Sequence, residues 1–313
     1  MLKIVVLGAG SHSQANHLPA LARYHSLHPD QVELAALCDL RGDLAVAMAG
    51  KYGFARAYTD LDEMLRQEQP DGCIAVTPVS ATLDLASRII GAGVPLLMEK
   101  PLGANIAQAR EIINMVGVSG ARVMVSMNRR FSPALRAARA CAGERHIVYL
   151  RASIQRHHRA EPTFLWETAI HPLDAMRSVA GDVAEFSAEV RHVGAAAWYV
   201  AQLAFETGTL GILEVLPTTG GLVETYDLFG DNYRASAQVV ENAPVRVRCW
   251  EGDRLALDEE PARDEPAFVR NGAYDETVEF ITALRENRQP HPSPAEVLQS
   301  VELLHAIAQN CQP

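Results

Sequence analysis

The chain has 313 residues, 48% of them hydrophobic and 21% charged, a composition that buries a core and excludes disordered, collagen-like, coiled-coil and disulfide-scaffold classes. That length exceeds one ordinary domain and fits two. Lys and Arg number 28 against 38 Asp and Glu, a formal net charge of -10, and no long basic run is present, so a small molecule rather than nucleic acid or a membrane is the expected partner.

The apolar stretch 2–7 ends at Gly8-Ala9-Gly10, the pattern of a strand buried on both faces and followed by a tight turn. A helix is predicted over 13–24, a second buried strand over 32–38, and a helix over 43–52 closed by Gly53. Asp60 with Glu63 forms a capping pair for the next helix. Then follow a strand over 73–76, a helix over 81–92 closed by Gly93, a strand over 94–98, a helix over 105–116 and a last strand over 121–127. This alternation predicts a doubly wound parallel sheet with right-handed crossovers, an N-terminal Rossmann domain over 1–127.

Past residue 128 the rhythm changes. Alternating segments at 146–155, 184–193, 198–205, 209–216, 223–229 and 245–250 predict a large, mostly antiparallel open sheet. Helices are expected at 163–179, 275–286 and 294–309, making 128–313 an α+β domain, with 252–273 as its loosest segment.

Gly8-x-Gly10-x-x-Ser13 between strand and helix is the dinucleotide fingerprint with its third glycine replaced. Gly8 permits the turn, Gly10 admits a pyrophosphate, and Ser13 is small enough for close helix–sheet packing. Asp39 closes the second strand, where a carboxylate binds ribose hydroxyls and repels a 2′-phosphate; this favours NAD, with NADP as the alternative through Arg41. Glu99-Lys100-Pro101 ends the strand over 94–98, where open α/β sheets place their ligand crevice, and an ammonium there can offset charge developing on a substrate oxygen. A lysine salt-bridged to its neighbour on the surface is the competing interpretation. Cys38, Cys73, Cys141, Cys249 and Cys311 are scattered and suggest reduced thiols, not a disulfide framework or a thiolate site. The N-terminal apolar run is too short to span a bilayer, so a cytoplasmic protein is expected. No metal is expected, because His12 and His17 lack the spacing of a zinc helix.

Gly8 through Ser13 with Ser11 and His12, Asp39, Thr77-Pro78, Glu99-Lys100-Pro101 and Trp166 through Asp174, in this order and spacing, resemble the glucose-fructose oxidoreductase / inositol dehydrogenase / rhizopine-catabolism (Gfo/Idh/MocA) family over essentially the whole chain. The resemblance implies a Rossmann domain and an open-sheet domain for substrate binding and oligomer contacts. It also implies NAD(P)-dependent oxidation or reduction of sugars, polyols and related compounds. Its catalytic lysine and histidine correspond to Lys100 and His171, and Glu167 stands where the family has an aspartate.

Independently of the family, Glu167, His171 and Asp174 fall at i, i+4 and i+7 and would share one helical face. Pro172 would either kink that helix or mark the start of a new one. Arg129 and Arg156, at strand ends, are candidates for binding a substrate carboxylate or phosphate. The expectation is therefore an NAD-dependent oxidoreductase of a sugar, cyclitol or sugar-derived acid, assembled as a homodimer or homotetramer. Lys100 would polarise the oxygen, His171 exchange the proton and Glu167 orient His171. Two alternatives remain: a non-catalytic NAD(P)-binding sensor or co-regulator, and an NAD-dependent glycosidase of the same fold.

Overall fold

A computed structural model describes residues 1–161, 163–239 and 245–310. The chain divides into two compact units, residues 1–126 with 273–298 and residues 127–272 with 299–313. In the first, strands and helices alternate: β1 (Leu2–Leu7), α1 (Ser11–Ala15), α2 (His17–Leu27), β2 (Val32–Cys38), α3 (Gly42–Tyr52), β3 (Arg56–Tyr58) and α4 (Leu61–Glu68). They continue with β4 (Gly72–Ala75), α5 (Thr82–Gly91), β5 (Leu96–Met98), α6 (Ile106–Ser119) and β6 (Val123–Val125). The strands form one parallel sheet in the order β3-β2-β1-β4-β5-β6. Its strands are apolar without alternation because helices cover both faces; Ile4, Val5 and Val6 of β1 are fully buried. Asp60 caps α4 by accepting the amide of Glu63 at 2.7 Å, as its spacing implies.

The second unit begins with α7 (Pro133–Ala142), β7 (Tyr149–Gln155), α8 (Phe164–Glu167) and α9 (Ile170–Ala180). Seven strands follow: β8 (Val183–Val193), β9 (Ala196–Phe205), β10 (Leu210–Leu216), β11 (Val223–Gly230), β12 (Tyr233–Val239), β13 (Arg246–Glu251) and β14 (Arg254–Glu259). Along the chain there then come α10 (Ala267–Arg270), α11 (Ala273–Arg285), which belongs to the first unit, and α12 (Pro294–Asn310). The sheet runs β14-β13-β12-β11-β7-β10-β9-β8, antiparallel except for the parallel β7/β10 pair. One face, with Ala152, Ile154, Leu213, Tyr226 and Ala237 in register, is buried, and α7 and α9 pack on the sheet. The opposite face carries exposed Val200 and Leu210.

Three expectations need correction. The segment 252–273 contains a strand and a short helix, because Arg246 donates Nε and Nη2 to Asp258 and fixes β14 against β13. Helix α11 lies with the first unit, not the second, because its apolar side meets α2 and its Phe280 and Leu284 close over Gly72. Cys141 and Cys249, 108 residues apart, form a disulfide that ties α7 to β13 with Cα atoms 6.4 Å apart. Cys38 and Cys73 are buried free thiols, and Cys311 lies outside the described residues. Among the described residues no helix is long and apolar enough to cross a membrane.

Candidate active site

The turn after β1 has the geometry that its glycines suggest. Gly8 adopts φ +98°, and a Cβ there would stand 2.0 Å from the carbonyl oxygen of Val76 at the end of the neighbouring strand. No other residue fits that position. At Gly10 an added Cβ would meet nothing within 4 Å, so the backbone faces open space in front of the amides of the first helical turn. Ser13 is fully buried against the sheet. Asp39 joins this turn to the end of β2: its Oδ2 accepts the Ala9 amide at 2.8 Å, and its Oδ1 accepts the amide and Nε of Arg41 at 3.0 and 3.1 Å. Partial burial raises the Asp39 pKa, but the hydrogen bonds from Arg41 and Ala9 outweigh it and hold the carboxyl below its ordinary value. Thr77-Pro78 lies just past β4, leading into a short 3-10 turn over residues 79–81.

At the end of β5 the Glu99 side chain, 10% exposed, is surrounded by donors. Its Oε1 lies 2.9 Å from His12 Nε2 and 2.6 Å from His17 Nε2, and its Oε2 accepts the backbone amide of Lys100 at 3.1 Å. Burial raises the pKa of this carboxyl, yet the two imidazoles more than offset that and hold it well below the usual range. The side chain of Lys100 is half-buried. Glu99 is therefore not a surface partner for the Lys100 ammonium alone but the hub of a cluster. His17, dismissed on spacing in the sequence, is one of its members. The three residues also place one possible ligand atom each within 4.8 Å of one another, a convergence that the expectation of no metal did not foresee. Both contacts are hydrogen-bond distances to one carboxylate oxygen.

In the second unit the expected single helix over 163–179 is two. Helix α8 ends at Glu167, Thr168 departs from helical geometry with φ -120°, and α9 begins at Ile170. Pro172 thus sits in a first turn, where its missing N–H costs nothing. Glu167, His171 and Asp174 do not share one helical face. Asp174 is 1% exposed and accepts Nε and Nη2 of Arg130 at 2.6 and 2.8 Å and the Ser300 hydroxyl at 3.1 Å. Its carboxylate is thus held by Arg130 and Ser300. His171 is half-buried in the first turn of α9.

Arg129 and Arg156 meet on a residue the sequence reading passed over, Glu224 of β11. Arg129 donates Nε and Nη2 to it at 2.6 and 2.8 Å, and Arg156 donates Nη2 at 2.6 Å. All three are buried, at 6%, 3% and 1% exposure, with the Tyr226 hydroxyl 3.3 Å from the same carboxylate. The available signal was register: Glu224 alternates with buried Tyr226 and Leu228, so an acid there had to be paired. Burial pushes the Glu224 pKa up, but Arg129, then Arg156 and His171, bring it far below its ordinary 4.5. A carboxyl depressed in the folded state stabilises fully above its unfolded pKa, and that contribution is lost as pH falls toward the folded value. Glu224→Gln should therefore cost about 3 kcal/mol at neutral pH and flatten the loss of stability on acidification below roughly pH 5. Urea unfolding across pH checks this; a variant as stable as the parent at neutral pH would count against the buried pairing.

Residues 2–127 match the GFO_IDH_MocA family, described as an oxidoreductase family with an NAD-binding Rossmann fold. Across 97% of this chain and 96% of the relative, the sequence is 27% identical to 4-carboxy-2-hydroxymuconate-6-semialdehyde dehydrogenase of a Sphingobium species. It is 22% identical to myo-inositol 2-dehydrogenase of Thermotoga maritima, over 75% of this chain and 78% of that protein. The crystal structure of a dehydrogenase (MviM) from Clostridium difficile shares the fold, with a TM-score of 0.86 over 98% of this chain and 99% of that chain at 18% identity. The glycine turn, the aspartate tied to it and the Glu99-Lys100-Pro101 strand end follow one another along a single parallel sheet within the matched region, and residues 2–127 carry the NAD-binding Rossmann fold of the Gfo/Idh/MocA oxidoreductase family.

Proposed function

We propose that the protein is an NAD-dependent dehydrogenase or reductase acting on the CH–OH group, or the matching ketone, of a sugar, cyclitol or sugar-derived acid. The observation that carries this reading is Lys100, held at the carboxyl end of β5 in the same parallel sheet whose β1 turn fits a dinucleotide. The open space at Gly10 suits a pyrophosphate, with Ser11, His12 and Ser13 supplying first-turn amides, and Asp39 suits a ribose. Thr77, Pro78 and Glu99 are the further contacts assigned to this pocket. When bound, the nicotinamide supplies a reversible two-electron acceptor for the carbinol hydrogen.

In the oxidative direction the Lys100 ammonium donates a hydrogen bond to the substrate oxygen and offsets the negative charge that grows there. Neutral His171 takes the hydroxyl proton, and Glu167 orients the ring. In reduction the same groups return the proton. A relative named for myo-inositol supports this substrate range, and one named for a carboxylated semialdehyde supports a substrate that bears a carboxylate. Arg129 and Arg156, which meet on Glu224, are assigned to a substrate's carboxylate. The sheet face bearing Val200 and Leu210 is assigned to a homodimer or homotetramer. A cytoplasmic location completes the reading, although Cys141–Cys249 is unusual there, since structural disulfides persist mainly in oxidising compartments. A panel of carbohydrates and their acids assayed for NADH formation and for glycoside cleavage tests the class: cleavage without net NADH supports a glycosidase, and binding without either product supports a sensor.

Asp39→Ala should weaken NAD binding about 10-fold and narrow the preference over NADP, as calorimetric titration of both cofactors will reveal; an unchanged ratio would remove Asp39 from the adenosine pocket. Lys100→Ala and His171→Ala should each lower turnover about 100-fold or more while NAD affinity stays nearly intact. In the parent the oxidative rate should fall as pH drops through the imidazole's ionisation; stopped-flow traces of His171→Ala that keep the parent's rate and profile would make His171 structural. Light scattering at micromolar concentration should find a dimer or tetramer, and a monomer alone would withdraw the assembly.

A further inference from the structure

Strand β4 lies between β1 and β5 in the sheet, so the contacts of His12 and His17 with Glu99 reach from the β1 side across the end of β4 to the residue before Lys100. The two histidines are unequal. His17, on α2, is 1% exposed and acts as a fixed donor. His12 is 55% exposed, stands two residues past Gly10 on the turn assigned to the dinucleotide, and has its other ring nitrogen 3.4 Å from the Asn16 amide. An Asn16 N–H donated to Nδ1 leaves Nε2 as the protonated nitrogen, the form that donates to Glu99. With Oε2 taken by the Lys100 amide, the carboxylate is gripped at both oxygens, and it cannot rotate without breaking a bond to the backbone that carries the lysine.

We propose that His12 is a positioning residue for Lys100, passing the arrangement of the dinucleotide turn to the lysine through the shared Glu99 carboxylate. The role of Lys100 in turnover rests on the function proposed above; the contact itself does not. Removing His12 leaves His17 as the sole imidazole on Oε1, and Glu99 gains freedom to turn. The direction of the chain at residue 100 then loosens, and so does the placement of the ammonium. Small displacements of a reacting group are costly, and about a 10-fold fall in kcat is the expected scale. A residue that only touched the cofactor would change NAD affinity instead.

The test uses the full chain with His12→Ala and His12→Gln, the glutamine offering an N–H in place of the imidazole. Competitive labelling with acetic anhydride, read by peptide mass spectrometry without cofactor, compares the amine of Lys100 with that of exposed Lys51. Titration with NAD gives affinity, and the carbohydrate found to yield NADH gives kcat. His12→Ala should label several-fold faster at Lys100 alone and lose about 10-fold in kcat at unchanged NAD affinity, with His12→Gln recovering most of both. Parental labelling in His12→Ala, or a loss confined to NAD affinity, overturns the proposal. If labelling shifts while Lys100→Ala retains turnover, the positioning contact stands and the catalytic role assigned to Lys100 falls.

Discussion

An ionised carboxylate nearly closed off from water at the end of a buried strand has to be met by donors, and at Glu99 three converge. Two imidazoles come from the far side of β4 and one amide from the next residue in the chain. This arrangement constrains the carboxyl edge of the parallel sheet. It sets where Lys100 leaves β5, ties that point to the glycine turn, and demands that α1 and α2 present His12 and His17 on the same side. The turn is constrained in turn by Gly8, whose contact with Val76 leaves no room for a side chain, and by Asp39, which holds the Ala9 amide.

The second unit solves a similar problem with guanidinium groups. Glu224 and Asp174 are each 1% exposed, and arginines supply paired donors to both. Replacing one partner in such a pair leaves a buried charge uncompensated, so these clusters resist change even where they add little net stability. They also restrict the chemistry available. Arg130 and Asp174 are engaged with each other, and His171 stands in the same helix as Asp174, at the start of α9.

Much of the first unit was legible because covered parallel strands read as apolar runs and their helices announce themselves by caps, as Asp60 and Gly53 do. Gly8, Gly10, Asp39 and Lys100 could be placed from position alone, since each stands at the carboxyl end of a strand. The contacts among them were not legible. His12 and His17 look unrelated at a spacing of five, and only the break at Asn16, with φ -127°, turns both rings toward Glu99. The break at Thr168 likewise separates Glu167 from His171, which a continuous helical repeat had joined. Small residues hid β12, whose inward positions include Ala235 and Ala237, and α7, whose buried side is Ala134, Leu135, Ala138 and Ala142. Cys141 and Cys249 meet through the packing of α7 on β13, information that a separation of 108 residues does not carry.

The central claim is that a carbon-bound hydrogen of a carbohydrate-like alcohol passes to nicotinamide on this protein. A single-turnover reaction with a substrate deuterated at the reacting carbon, followed by mass spectrometry of the cofactor, tests it most directly. The account predicts reduced cofactor carrying that deuterium. Reduced cofactor without the label, or a product formed while the label stays on the substrate and the cofactor is unchanged at completion, would contradict it.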